Sequence, residues 1–132
     1  MTSGLLDTSV VIDWDDPAVA RELPDEFAIS MITAAELTAG PHLAKTPEEA
    51  ARRQSRLQEV EAQLDPLPLD AACARSYGLV VAAITQHGRH VRNRFADLLI
   101  AATAHANGLD LYTRNGADFE GLERLVHVVV IP

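Results

Sequence analysis

Four of the nineteen acidic residues in this chain, Asp7, Glu36, Asp97 and Asp118, stand among apolar residues or at element ends, where a carboxylate is placed to do chemistry. Asp7 closes the apolar run Gly4-Leu5-Leu6, and Asp97 interrupts Phe95-Ala96-Asp97-Leu98-Leu99-Ile100. Glu36 sits in Ala34-Ala35-Glu36-Leu37, and Asp118 follows the polar turn Thr113-Arg114-Asn115-Gly116. Desolvating an ionised carboxylate is costly unless a counter-charge holds it, and no Lys or Arg adjoins Asp7 or Glu36. A divalent cation shared by all four would supply that charge. All-oxygen donors suit Mg²⁺ or Mn²⁺ rather than zinc. Such an ion neutralises the carboxylates, polarises a phosphodiester and lowers the pKa of an attacking water.

Each acid also has a purely structural alternative. Asp7 suits an N-cap for the segment Thr8 to Trp14, and Thr33-Ala34-Ala35-Glu36 has the form of a capping box in which the carboxylate reaches back to the backbone. Asp97 suits the first turn of a helix or a pair with Arg94 three residues earlier. Asp118 suits a cap on a helix from Phe119 to Leu125. The set is more telling than any member, because a parallel sheet gathers such positions on one edge.

Short β-type runs at Gly4–Leu6, Phe27–Ile29, Leu67–Leu69, Leu109–Tyr112 and Val126–Ile131 alternate with helical patterns. This order predicts a three-layer α/β/α domain around a central parallel sheet. Helices are expected over Pro47–Leu64, where Thr46 and Glu49 form a capping box, from a cap at Asp70 to about Gln86, and from about Arg94 to His105. Asp16-Pro17 marks another helix start, and Arg89 to Asn93 form a basic loop. In open parallel sheets ligands bind beyond the carboxyl ends of the strands, where strand order reverses. All four acids map to that edge.

At 132 residues, 48% hydrophobic and 23% charged, the chain fits one domain spanning 1–132. Its apolar stretches are far shorter than the roughly 18 residues that cross a bilayer, and the N-terminus has no basic region, so a cytoplasmic protein is expected. Cys73 is the sole cysteine and reads as a small core residue. A net charge of −8 argues against nucleic acid as a partner unless the positive charge is segregated. It is: ten of the eleven basic residues are Arg, and Arg89, Arg92, Arg94 and Arg114 fall in one stretch suited to RNA phosphate or to a partner's carboxylates. The five His residues are scattered, and Trp14 reads as core or interface.

At these residues the chain resembles PIN-domain ribonucleases, and within that superfamily the VapC toxins of bacterial type II toxin–antitoxin systems. The likeness rests on Leu5-Leu6-Asp7-Thr8-Ser9-Val10, Ala35-Glu36-Leu37 with Gly40, Asp97-Leu98-Leu99-Ile100-Ala101-Ala102-Thr103-Ala104, and Thr113-Arg114-Asn115 with Asp118-Phe119. It implies a PIN-like fold and an endoribonuclease whose Asp7 and Asp97 are the principal ligands of Mg²⁺ or Mn²⁺, completed by Asp118 and Glu36. Thr8, Ser9, Thr113 and Asn115 would be supporting polar groups. It implies also a homodimer and inhibition by a cognate VapB antitoxin. Two local departures are the bulky approach Arg94-Phe95-Ala96 to Asp97 and the short insert Trp14-Asp15-Asp16-Pro17.

A phosphorylation-dependent receiver domain shares the length, the alternating order and an acid, Asp70, after the third run. It lacks support twice: Asp7 is followed by Thr8 rather than a second acid, and the only Lys is Lys45. A haloacid-dehalogenase-like phosphatase is weakened in the same way, since Asp7-Thr8-Ser9 lacks its second Asp. A silent domain that only binds a partner would have no use for four clustered acids.

Overall fold

A computed structural model describes residues 2–132. Its sheet has four parallel strands, β1 (Ser3–Leu6), β2 (Glu26–Ala28), β3 (Asp110–Thr113) and β4 (Val128–Val130), in the order β2-β1-β3-β4. The order reverses between β1 and β3, and there Asp7 N–H donates to the Tyr112 carbonyl at 2.8 Å. Connecting these strands are α1 (Thr8–Val11), α2 (Pro17–Ala20), α3 (Met31–Leu43), α4 (Pro47–Gln63), α5 (Ala71–Gln86) and α6 (Phe95–Ala106), with a 3₁₀ turn over Gly116–Phe119.

Strand alternation divides the apolar residues between two layers. Leu5 and Leu111 face Val80, Ile84, Leu98 and Ile100 of α5 and α6, whereas Leu6 and Tyr112 face Val10, Val11, Leu37 and Val60 of the α1 to α4 side. The expected three-layer α/β/α domain is therefore the observed one. Helix α6 is buried from Leu98 through Ala104, as its continuous apolar sequence requires. Trp14 packs in the core against Phe27 with ring centroids 5.9 Å apart, and Cys73 is buried.

Several expectations are corrected. The run Leu67–Leu69 is not a strand; Leu67 makes one isolated parallel bridge to Ser30, because Pro66 and Pro68 on either side have no N–H to give a ladder. Residues 120–125 form turns rather than a helix. The cap of α3 is Ser30, whose hydroxyl accepts from Thr33 N–H at 3.0 Å, so the capping box assigned to Thr33 and Glu36 does not form. Caps at Asp16, Thr46 and Asp70 are formed as expected, each side chain accepting a backbone N–H of its helix.

Candidate active site at the carboxyl edge of the sheet

The carboxyl edge collects the four acids from four different elements. Asp7 follows β1, Glu36 lies in the second turn of α3, Asp97 in the first turn of α6, and Asp118 in the 3₁₀ turn after β3. Parallel strands with helices running back against them put strand ends and helix starts on the same side, which is why Asp7 and Thr113, 106 positions apart in sequence, are hydrogen-bonded.

Asp7 is 4% exposed and occupies the N-cap position of α1, yet its side chain caps nothing. The Asp7 carbonyl accepts from Val10 and Val11 N–H instead. Its Oδ2 accepts from the hydroxyls of Ser9 and Thr113, both at 2.8 Å. Those hydroxyls are themselves oriented: Arg114 N–H donates to Ser9 Oγ and Asn115 N–H to Thr113 Oγ1, each at 3.0 Å. With backbone donors filling their acceptor sides, both O–H bonds turn toward the same carboxylate oxygen. Neither hydroxyl bonds to Oδ1.

Glu36 is exposed, and its Oε1 accepts from Thr8 Oγ1 at 2.6 Å. Asp97 is half-buried, and its carboxyl is pushed from an ordinary 3.8 up to about 6 by burial first and then by the charges of Asp7, Asp118 and Glu36. Arg94 pulls the other way without forming an ion pair to it. Charges reach one another strongly only over short, poorly screened paths, so the part of this shift that burial does not cause places Asp7, Asp118 and Glu36 within electrostatic reach of Asp97. None of them has a cationic partner within 4 Å among the described residues. Among those residues no three His, Cys, Asp or Glu side chains are grouped tightly enough to hold an ion as they stand. The donors match a hard cation in atom type and in surplus charge, and a shared ion would have to draw the carboxylates inward.

The basic residues divide. Arg114 is paired with Asp13 and donates to the Pro132 carbonyl at 3.0 Å, and Arg89 is paired with Glu120. Arg92 is exposed with no ion pair among the described residues, and Arg94 precedes α6 half-buried. Asp70 lies outside the acidic set: it caps α5, and the Cys73 N–H it accepts at 3.0 Å holds its carboxyl below the usual range. A phosphoacceptor role for Asp70 has no site around it. Thr33, fully buried with its Oγ1 3.0 Å from Thr8 Oγ1, is the polar residue that sequence reading assigned to a cap rather than to the site. The spacing Ser30-Thr33-Glu36, one face of one helix, was the available signal.

Fold and edge together define a PIN domain, and the PIN-domain family model matches residues 4–125. The chain is 34% identical over 131 residues to Ribonuclease VapC5 of Mycobacterium tuberculosis, covering 98% of this chain and 94% of that protein. It is 35% identical over 116 residues to Ribonuclease VapC4 of the same organism, covering 84% and 85%. Among solved structures it superposes on VapBC-5 from Mycobacterium tuberculosis, a member of the VapBC family of toxin–antitoxin systems, with TM-score 0.82, 34% identity and coverage of 99% and 98%. VapBC2 from Rickettsia felis, bound to a promoter DNA fragment, gives TM-score 0.77 at 25% identity, covering 99% and 100%. The chain belongs to the PIN-domain family and, within it, to the VapC group.

Proposed function

We propose that this chain is the toxin of a VapBC-type pair, a cytoplasmic endoribonuclease working with Mg²⁺ or Mn²⁺ held by Asp7, Asp97, Asp118 and Glu36. The observation that carries this reading is the Asp97 carboxyl, pushed to about 6 by burial and by the other three acids, with no cationic partner within 4 Å for any of the set among the described residues. When bound, the ion would neutralise these charges, polarise an RNA phosphodiester and supply a water of lowered pKa as nucleophile. The chain's own residues prepare for it. Ser9 and Thr113 hold one Asp7 oxygen and so turn the other toward the site; Thr8 aims Glu36; partial burial of Asp97 in the first turn of α6 limits the access of bulk water to its carboxyl.

The substrate would be single-stranded or looped RNA, and a VapB-type antitoxin would be the inhibiting partner of a homodimeric toxin. Relatives support the ribonuclease activity and the antitoxin partner: two similar proteins are named as VapC ribonucleases, and the two superposed structures described above are VapBC systems. Purified protein should cut RNA with Mg²⁺ or Mn²⁺ and not with EDTA, and Asp7→Asn or Asp97→Asn should reduce the rate at least a hundredfold while leaving the fold intact by circular dichroism. Cleavage by Asp97→Asn at the wild-type rate, at matched purity, would sink the assignment. Growth arrest on expression should be relieved by co-expressing the product of the adjacent upstream reading frame.

A further inference from the structure

Behind Glu36 stands a short chain of hydroxyls whose direction follows from counting hydrogens. Thr8 Oγ1 lies 2.6 Å from Glu36 Oε1 and 3.0 Å from Thr33 Oγ1. A threonine hydroxyl carries one hydrogen, and a carboxylate oxygen at 2.6 Å claims it, since a charge-assisted bond is the stronger and shorter one. The Thr8–Thr33 contact must then be donated by Thr33. Thr33 is 0% exposed, and its own N–H is fixed on Ser30 Oγ at 3.0 Å, so its backbone and side chain are held from the helix cap inward. Thr33 is fully buried, so bulk water has no access to take the place of its hydroxyl.

We propose that Thr33 is a positioning residue for the acidic site: its hydroxyl orients Thr8, and Thr8 in turn orients the Glu36 carboxylate toward Asp7, Asp97 and Asp118. Glu36 is exposed on α3 and has three rotatable bonds before its carboxylate. Without a fixed donor it would sample many rotamers, and its share of the site's negative field would be intermittent. Thr8 alone is a weak anchor, since its hydroxyl can rotate to other acceptors; a donor filling its lone pair leaves one outlet for its hydrogen. The inference rests on the proposed reading in which Glu36 helps to hold the metal.

Two variants separate positioning from packing. Thr33→Val keeps the β-branched shape and loses the donor, while Thr33→Ser keeps the donor and loses a methyl group. Mn²⁺ binding by electron paramagnetic resonance, and kcat and KM for a fluorescent RNA oligonucleotide, should be measured for both alongside thermal unfolding. Thr33→Val should weaken Mn²⁺ binding and lower kcat about tenfold with KM within twofold, the range seen when partners behind metal ligands are removed. Thr33→Ser should stay within twofold of wild type in binding and kcat even where its melting temperature is the lower of the two. In a Glu36→Gln background Thr33→Val should add less than twofold. Equal losses in Thr33→Val and Thr33→Ser, or an undiminished Thr33→Val, would overturn the inference. If Glu36→Gln itself leaves Mn²⁺ binding and cleavage unchanged, the failure belongs to the assignment of Glu36 to the metal site.

Discussion

Asp97 places the site's electrostatic conflict in one side chain, and that conflict has a measurable pH dependence. Its carboxyl stands near 6 in the folded chain against 3.8 ordinarily, so between those values the folded state binds more proton than the unfolded one. The contribution to stability is complete below about 3.8 and is lost as pH rises through about 6. At pH 7.5 in EDTA, Asp97→Asn should therefore be more stable than wild type by on the order of 1–2 kcal/mol, the shift being discounted for partial solvent screening. Urea unfolding of the two proteins from pH 4 to 8 checks this: the difference should close toward pH 4. Mg²⁺ should stabilise wild type more than the variant, trading stability for function. A difference independent of pH would mean that neither burial nor the other acids raise the Asp97 carboxyl. For Thr113→Val, which removes a buried donor to Asp7, both a stability loss of about 1 kcal/mol and weaker Mn²⁺ binding are expected. The acids were legible in sequence because carboxylates in apolar runs are conspicuous. Thr33 was not, because its apparent capping role shifts to Ser30 only once the start of α3 is known.

Strand and helix positions test whether packing, rather than propensity, sets the scaffold. An added Cβ at Gly4 in β1 would come 2.4 Å from Tyr112 Cε1 and 3.3 Å from the Asp110 carbonyl oxygen. Tyr112 is 7% exposed and has little room to retreat, so Gly4→Ala should destabilise by about 2–3 kcal/mol and disturb the β1–β3 pair that carries Asp7 and Thr113. Gly78 in α5 meets nothing within 4 Å, and Gly78→Ala should stabilise by about 0.5–1 kcal/mol through helix propensity. Thermal or denaturant unfolding should show opposite signs; a loss at both would mean that the exposed face of α5 is occupied by another chain. Four of the five β-type runs were found as strands, shifted by a residue or two at their ends, because alternation and turn residues mark them. Leu67–Leu69 carried the same apolar signal and failed for want of donors, which only its two prolines announced. The long helices were legible through their caps, and Asp118's surroundings were not, since short 3₁₀ turns have no periodicity to read.

Charge distribution over the molecule decides how an acidic protein could hold RNA. The net charge is −8, and most arginines near the site are already neutralised: Arg114 by Asp13, Arg89 by Glu120, and Arg52, Arg53 and Arg56 by Glu49, Asp15 and Glu59. An arginine in an ion pair gives little net attraction to phosphate, because its partner repels the same group. Arg92, exposed and unpaired among the described residues, and Arg94, half-buried beside Asp97 and likewise without an ion pair among them, are then the basic side chains left for the backbone, and a metal, on the proposed reading, would supply the rest. Binding of a fluorescent RNA oligonucleotide to the Asp7→Asn protein, measured across monovalent salt at fixed Mg²⁺, should give a shallow log–log slope of about −0.7 to −1.4, the value for one or two phosphate contacts on single strands. Arg92→Ala should reduce that slope by about 0.7 and weaken binding at low salt, whereas Arg89→Ala should leave the slope unchanged and lower stability instead. A steep slope in the parent protein, or a slope lost with Arg89→Ala and kept with Arg92→Ala, would show that the ion pairs open to receive RNA.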